Sequence, residues 1–173
     1  GENTMTGEQE NTIERTQALR ELHSASRTLL LSTASATGAP DQSYAPYVRD
    51  ELGQFYVFIS EMARHTSNLL ENPQAAVMFI RDEVQSHNLF ARERAVYQCT
   101  AGEIARDSSA FNEILALFEQ DFGEIVGLLR TLSDFHLFAL MPQSGRYVAG
   151  FGQAFNIDIK NGAVLMPDKN RKP

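Results

Sequence analysis

The sequence predicts a mainly β protein, an antiparallel barrel with peripheral helices, and three observations carry that expectation. Strand-like apolar runs outnumber helical ones, and turns of four or five residues join neighbouring runs. The helical segments do not alternate with the strands as a parallel α/β sheet requires. With 173 residues the chain is long enough for one domain, and a domain of that size buries roughly 70% of its unfolded surface. We expect that domain over residues 11–160, with 1–10 as a disordered or tag-derived tail and 161–173 as a polar C-terminal tail.

Taken in order, Asn11 to His23 reads as a helix, capped by Asn11 with Glu14 three residues on. Arg27 to Ala34 follows as a strand, then a turn at Thr37-Gly38-Ala39-Pro40. Asp41 to Arg49 is a second strand, in which Pro46 points to an edge or an irregularity. Gln54 to Ser60 is a third, rich in aromatics, and Gln74 to Arg81 a fourth with a buried character. Arg92 to Ile104 reads as a long strand. Asp107 then caps a helix with Phe111, Ile114, Leu115 and Phe118 at helical spacing. Strands around Phe135–Met141, Arg146–Phe151 and Ala154–Ile159 finish the chain.

Composition narrows the function. A net charge of −7 and a pI near 5.1 argue against general nucleic-acid or anionic-membrane binding, so any anion site is a local basic pocket. The apolar runs are too short to span a bilayer, and GENTMTGEQE lacks the apolar core of a signal peptide. The expected location is cytoplasmic. The one cysteine, Cys99, reads as a buried structural thiol.

The densest chemistry lies in FISEMARHTSNLLENP, residues 58–73. A strand ends at Ser60 and a short helix begins with Arg64, His65 and Thr66. Two cationic-capable side chains and a hydroxyl beside unpaired helical N–H groups suit a phosphate or carboxylate; a solvated helix end is the alternative. Arg92 and Arg94, two apart, project from one face if they share a strand. A phosphate or propionate between them relieves their repulsion, and so does a local acid such as Glu103. The four histidines, His23, His65, His87 and His136, show no metal-pair spacing. Gly150-Phe151-Gly152-Gln153 opens no helix and is a bend or bulge, not a dinucleotide loop. No nucleophile elbow brackets a serine, and no catalytic residue is assigned.

Six segments in order, SYAPYV (43–48), ISEMARHTSNLLENP (59–73), LFARERA (89–95), FGEI (122–125), DFHLFAL (134–140) and GRYVAGFGQAF (145–155), resemble the HugZ/HutZ-type haem-utilisation family. That family lies within the pyridoxamine-phosphate-oxidase-like, FMN-binding split-barrel superfamily. The resemblance implies a split β-barrel homodimer with cofactor sites along the subunit interface, and an apolar flank including Phe55, Tyr56 and Phe58 buried there. It implies that Arg64 and His65, with Thr66 and Ser60, hold the FMN phosphate, while Ser43, Tyr44, Ala45 and Pro46 line the ring.

Two departures from the family pattern follow. The tail carries no basic motif for pyridoxamine phosphate, and the chain has no tryptophan. Asn170 stands where haem-degrading members carry an axial histidine, although Asp134 matches the acid that supports it. Haem would then need another ligand, such as His65. An FMN-binding oxidoreductase of unspecified substrate is therefore the first reading. A haem-binding or haem-degrading protein is the alternative, and a non-catalytic cofactor carrier the third.

Overall fold

The structure is a computed structural model that describes residues 5–165. Asn170 lies outside the described residues. The elements run α1 (Gly7–Ser24), β1 (Thr28–Ala34), β2 (Pro40–Arg49), β3 (Phe55–Ser60), α2 (Arg64–Glu71), β4 (Gln74–Ile80), β5 (Arg94–Ile104), α3 (Ser109–Phe122), α4 (Ile125–Arg130), β6 (Phe135–Gly150) and β7 (Gln153–Ile157). Two single 3₁₀ turns, Glu83–Gln85 and Leu89–Ala91, interrupt the link from β4 to β5. The strands form one sheet in the order β3-β2-β1-β4-β5-β6-β7, and β3 also pairs β6, which closes six of them into an antiparallel barrel. No helix among the described residues is long and apolar enough to cross a membrane.

Local chemistry moves several boundaries from those expected. The first helix starts at Gly7, not Asn11, because Thr6 and Gln9 form a reciprocal capping box across the N-terminal turn. Ser108, not Asp107, caps α3 by accepting from the Phe111 N–H at 3.1 Å. Asp107 instead turns the chain at φ 63°, a left-handed conformation that aspartate tolerates. The strands expected over 135–141 and 146–151 are one 16-residue strand, β6. Its first half pairs β3 from Phe55↔Leu140 to Ser60↔Phe135, and its second half pairs β7 from Gly145↔Ile157 onward.

Pro46 sits in a strand with neighbours on both sides, yet leaves no ladder gap. Its register partner Thr28 is the last β1 residue paired with β2 at that end, and the β2–β3 ladder begins one residue later at Tyr47↔Val57.

The chain divides into two compact units. The larger comprises residues 27–77 and 98–143. Its apolar cluster joins one face of β3, Tyr56 and Phe58, to the stripe Phe111, Ile114, Leu115 and Phe118 of α3. Phe58 meets Phe111 edge-on at 6.0 Å between centroids. Each of these side chains contributes about 1.5–3 kcal/mol by leaving water. Phe55, Tyr56 and Phe58 are 0%, 7% and 8% exposed within the chain itself. They are core residues and supply no free flank for a second subunit.

The other unit, drawn from residues 5–26, 78–97 and 144–165, packs Leu19 and Leu22 of α1 with Phe79, Tyr97, Tyr147 and Phe155 in its buried interior. His23 touches Phe79 edge-on at 4.4 Å and stands 2.7 Å from the Tyr97 hydroxyl through Nε2. Val164 bridges Ile157, and its N–H donates to Thr16 Oγ1 at 3.0 Å, so this part of the expected tail is tied into the unit.

Gly145 is where Tyr97 approaches closest. A Cβ there would lie 2.9 Å from Tyr97 Cδ1 and 3.1 Å from Ile157 Cδ1, and both rows of atoms are buried. Gly145→Ala should therefore destabilise the protein by about 1–3 kcal/mol through overpacking. Urea unfolding should show a lowered midpoint with an unchanged m-value.

Candidate functional site

The turn between β3 and α2 is held by hydrogen bonds that its own sequence supplies. Ser60 Oγ donates to Asp134 Oδ2 at 2.7 Å and accepts from the Met62 N–H at 3.1 Å. The Glu61 N–H donates to the Asp134 carbonyl at 2.9 Å, which pins the turn to the residue preceding β6. Helix α2 then begins at Arg64 with no side-chain cap, since Ala63 precedes it. The Ala63 and Thr66 N–H groups bond to the Ser60 and Ala63 carbonyls, which leaves those of Arg64 and His65 for an outside acceptor.

Of the residues expected here, the structure brings some together and separates others. Arg64 is exposed, and no hydrogen bond or ion pair among the described residues engages it. His65 is buried, with Nδ1 2.7 Å from Ser43 Oγ on the inward face of β2. Burial pulls its pKa down against the opposing charge of Asp41, so the imidazole is neutral near pH 7. Thr66 is fully buried, and its hydroxyl has no hydrogen-bond partner among the described residues. Ala45 is buried, whereas Tyr44 and Pro46 point outward and are exposed.

Arg92 and Arg94 do not form a pair on one strand face. Arg94 opens β5, while Arg92 precedes it as the residue ending a 3₁₀ turn. Arg92 Nε donates to the Arg81 carbonyl, and Arg94 Nη1 donates to the Arg92 carbonyl at 2.9 Å. The two guanidinium groups line different cavities of the same unit. Arg94 shares a cavity of about 500 Å³ with Arg146, Phe90 and Phe151. Arg146 is exposed with no partner among the described residues, and Phe90 and Phe151 are 95% and 80% exposed. Arg92 lines a second cavity of about 410 Å³ with Arg81 and His87. The Arg81 Nε donates to Glu93 Oε1 at 2.6 Å, and Tyr147 donates to the other oxygen of that carboxylate, so Arg81 is held in place.

Sequence reasoning missed two of these arrangements. Arg146 and Phe151 lie more than fifty residues from Arg94, and only the packing of the start of β5 with the end of β6 and with β7 in one unit unites them. The other is a clamp on His136, whose Nε2 lies 2.6 Å from Glu61 Oε1 and Nδ1 3.2 Å from Glu103 Oε1. Burial alone lowers its pKa, but the two carboxylate hydrogen bonds outweigh that and raise it. Cys99 is buried with its thiol pushed up to about 12 by desolvation, an inert structural group.

Known proteins resemble this chain in sequence and in fold. The sequence profile of the pyridoxamine 5'-phosphate oxidase family matches residues 16–149. Heme oxygenase HutZ of Vibrio cholerae is 42% identical over 139 residues, 80% of this chain and 78% of that one. A crystal structure of HutZ from the same organism, described as a heme storage protein, superposes with a TM-score of 0.70 at 40% identity, covering 73% of this chain and 89% of that one. Campylobacter jejuni ChuZ superposes with a TM-score of 0.77 at 30% identity over 93% of this chain and 67% of that one.

The His136 clamp makes a test by pH. A histidine whose folded pKa is raised contributes stability that is complete below its unfolded value, about 6.5, and is lost as pH rises through the folded value. His65 acts in the opposite sense, because its folded pKa is lowered and its contribution is lost as pH falls. The difference between wild type and His136→Gln isolates the clamp. Urea midpoints measured from about pH 5 to pH 9 should show that difference shrinking as pH rises.

Proposed function

The chain belongs to the pyridoxamine 5'-phosphate oxidase family, and we propose that within it this protein binds haem and serves haem utilisation. The observation that carries the reading is the 42% identity to a protein named a heme oxygenase, sustained over most of both chains. The flavin reading, which came first from the sequence, becomes second.

Haem asks for cationic partners to its carboxylates, apolar surface for a planar ring and a neutral nitrogen for its iron. The residues of the smaller unit fit the first two demands. Arg146 and Arg94 offer guanidinium groups at one cavity, and the exposed rings of Phe90 and Phe151 offer apolar area beside them. When bound, the group supplies an iron centre for redox chemistry. The protein's part is to bind the carboxylates, shield the ring from water and orient a ligand. By resemblance Asp134 matches the acid that supports an axial histidine, but Asn170 stands in that histidine's place, so the resemblance assigns Asp134 no ligand to orient here.

FMN remains a second reading because of one observation, the start of α2. An unpaired Arg64, a neutral His65 tied to Ser43 and the unpartnered Thr66 hydroxyl make a donor set suited to a phosphate. In that case the flavin would carry hydride or electron chemistry, on a substrate the sequence leaves open. We further infer a homodimer with no nucleic-acid or membrane partner, acting in the cytoplasm on a small-molecule ligand. On the outer face of β1 and β2 the exposed Leu30 stands opposite the exposed Tyr44, an apolar pair that supports a contact between two copies.

Titrating the purified protein separately with haem and with FMN should give a haem Soret band at stoichiometric haem and much weaker FMN binding. Tight FMN binding with no haem spectrum would reverse the two readings. Sedimentation at micromolar concentration should report twice the chain mass, and a monomer would refute the dimer.

A further inference from the structure

We propose that the cavity formed by the start of β5, the end of β6 and β7 recognises its ligand as a planar organic dianion, through ring and carboxylates and independently of a metal, so that metal-free porphyrin binds there as haem does. The inference rests on the haem reading above and states what that site selects.

The cavity lies on the outer face of the sheet. Along β5, Arg94 and Val96 alternate with the buried Ala95 and Tyr97, and along β6, Arg146 and Val148 alternate with the buried Gly145 and Tyr147. Val148 stands opposite Ala154 of β7. Val96, Val148 and Ala154 are half-buried and give the cavity an apolar floor. Two rings border that floor, Phe90 from the 3₁₀ turn before β5 and Phe151 from the hairpin between β6 and β7, and both are almost wholly exposed. Gly152, at φ 71°, makes the turn that presents Phe151. Bare aromatic area beside an aliphatic floor is covered favourably by a flat conjugated ligand. A cavity of about 500 Å³ is of the size that holds organic ligands. Its border is exposed, so the far edge of a larger ring can extend into solvent.

Charge points to an anion. The chain carries a net −7, yet among the described residues no carboxylate lines this cavity and two guanidinium groups do. Arg94 spends one N–H on the Arg92 carbonyl, and Arg146 has no hydrogen bond or ion pair through its charged group among the described residues. The neighbouring cavity of about 410 Å³ differs. There Arg81 is bound to Glu93, and Arg92 lies 3.8 Å from Glu83, so its cations are already matched by acids. A ligand with two carboxylates supplies the matching charge to Arg94 and Arg146, in a pairing that a guanidinium makes bidentate.

None of these contacts involves a metal. The described residues lining the cavity include no histidine, cysteine, methionine, tyrosine or lysine, and their polar side chains are Arg94, Arg146 and Gln153. A guanidinium has no lone pair to offer, and an amide is a weak donor beside imidazole. The side chains that meet the ligand therefore read its ring and its carboxylates, and haem shares both with metal-free protoporphyrin.

The test titrates the full chain with haem by absorbance and with metal-free protoporphyrin by fluorescence, for wild type, Arg146→Gln, Phe151→Ala and Arg64→Ala. Arg146 and Phe151 are exposed, so their replacement leaves the core intact, and far-UV circular dichroism checks this. Wild type should bind the two ligands with dissociation constants within about tenfold of each other. Arg146→Gln should weaken both by the same factor, roughly tenfold or more, the scale of a charge-assisted hydrogen bond. Phe151→Ala should weaken both as well, and Arg64→Ala neither. Haem bound about a hundredfold or more tighter than metal-free porphyrin would overturn the inference and leave the haem reading standing. Porphyrin binding indifferent to Arg146→Gln and Phe151→Ala would overturn it too, since it would report adsorption elsewhere. Failure of wild type to bind either ligand would overturn both readings.

Discussion

The fold of this protein depends on β3. Each residue from Phe55 to Ile59 is buried, so both faces of the strand are in apolar contact, and both edges are paired, to β2 and β6. A strand fixed on four sides cannot shift register without moving a whole set of aromatic side chains to the wrong face. Its exit at Ser60 is therefore fixed as well, and the turn that follows inherits that position. Ser60, Glu61 and Asp134 then lock the turn, and α2 starts where the strand leaves it.

Charge on this acidic chain is managed locally. Arg81 is held by Glu93, Arg92 by a backbone carbonyl, Arg106 by the carbonyls of Arg130, Leu132 and Phe135, and Arg130 by Asp107 and Asn112. Arg64 and Arg146, like the exposed Arg20 and Lys160, have no hydrogen bond or ion pair through their charged groups among the described residues. The histidines show the same principle in protonation. Burial lowers the pKa of His65, while two carboxylate hydrogen bonds raise that of His136 against the effect of burial. Two imidazoles of one chain thereby have their pKa values moved in opposite directions by their neighbours.

A phosphate and a propionate ask nearly the same of a protein: guanidinium groups, hydroxyls and free backbone N–H groups. Residue types around Arg64 cannot distinguish flavin from haem on that basis. The distinguishing group is a metal ligand, and Asn170 led the sequence reading toward flavin. Similarity to HutZ along most of the chain carries more information than one position, which is why haem now stands first.

The sequence by itself determined the class of the fold and the local elements, because strand patterning, the Asn72-Pro73 break and the helical stripe of α3 are written in neighbouring residues. It also raised the expectation of an anion site at Arg64, since an arginine and a histidine opening a helix are visible in the sequence alone. It misplaced the caps of α1 and α3, because Thr6 and Asn11 at the one, and the adjacent Asp107 and Ser108 at the other, are all competent caps and only backbone geometry chooses between them. Only the tertiary structure decided the rest. Phe55, Tyr56 and Phe58 went into the core, Arg92 and Arg94 parted into separate cavities, and His136 found Glu61 and Glu103. Each outcome depends on residues dozens of positions apart, and no local pattern specifies which strand will bring which side chain within reach.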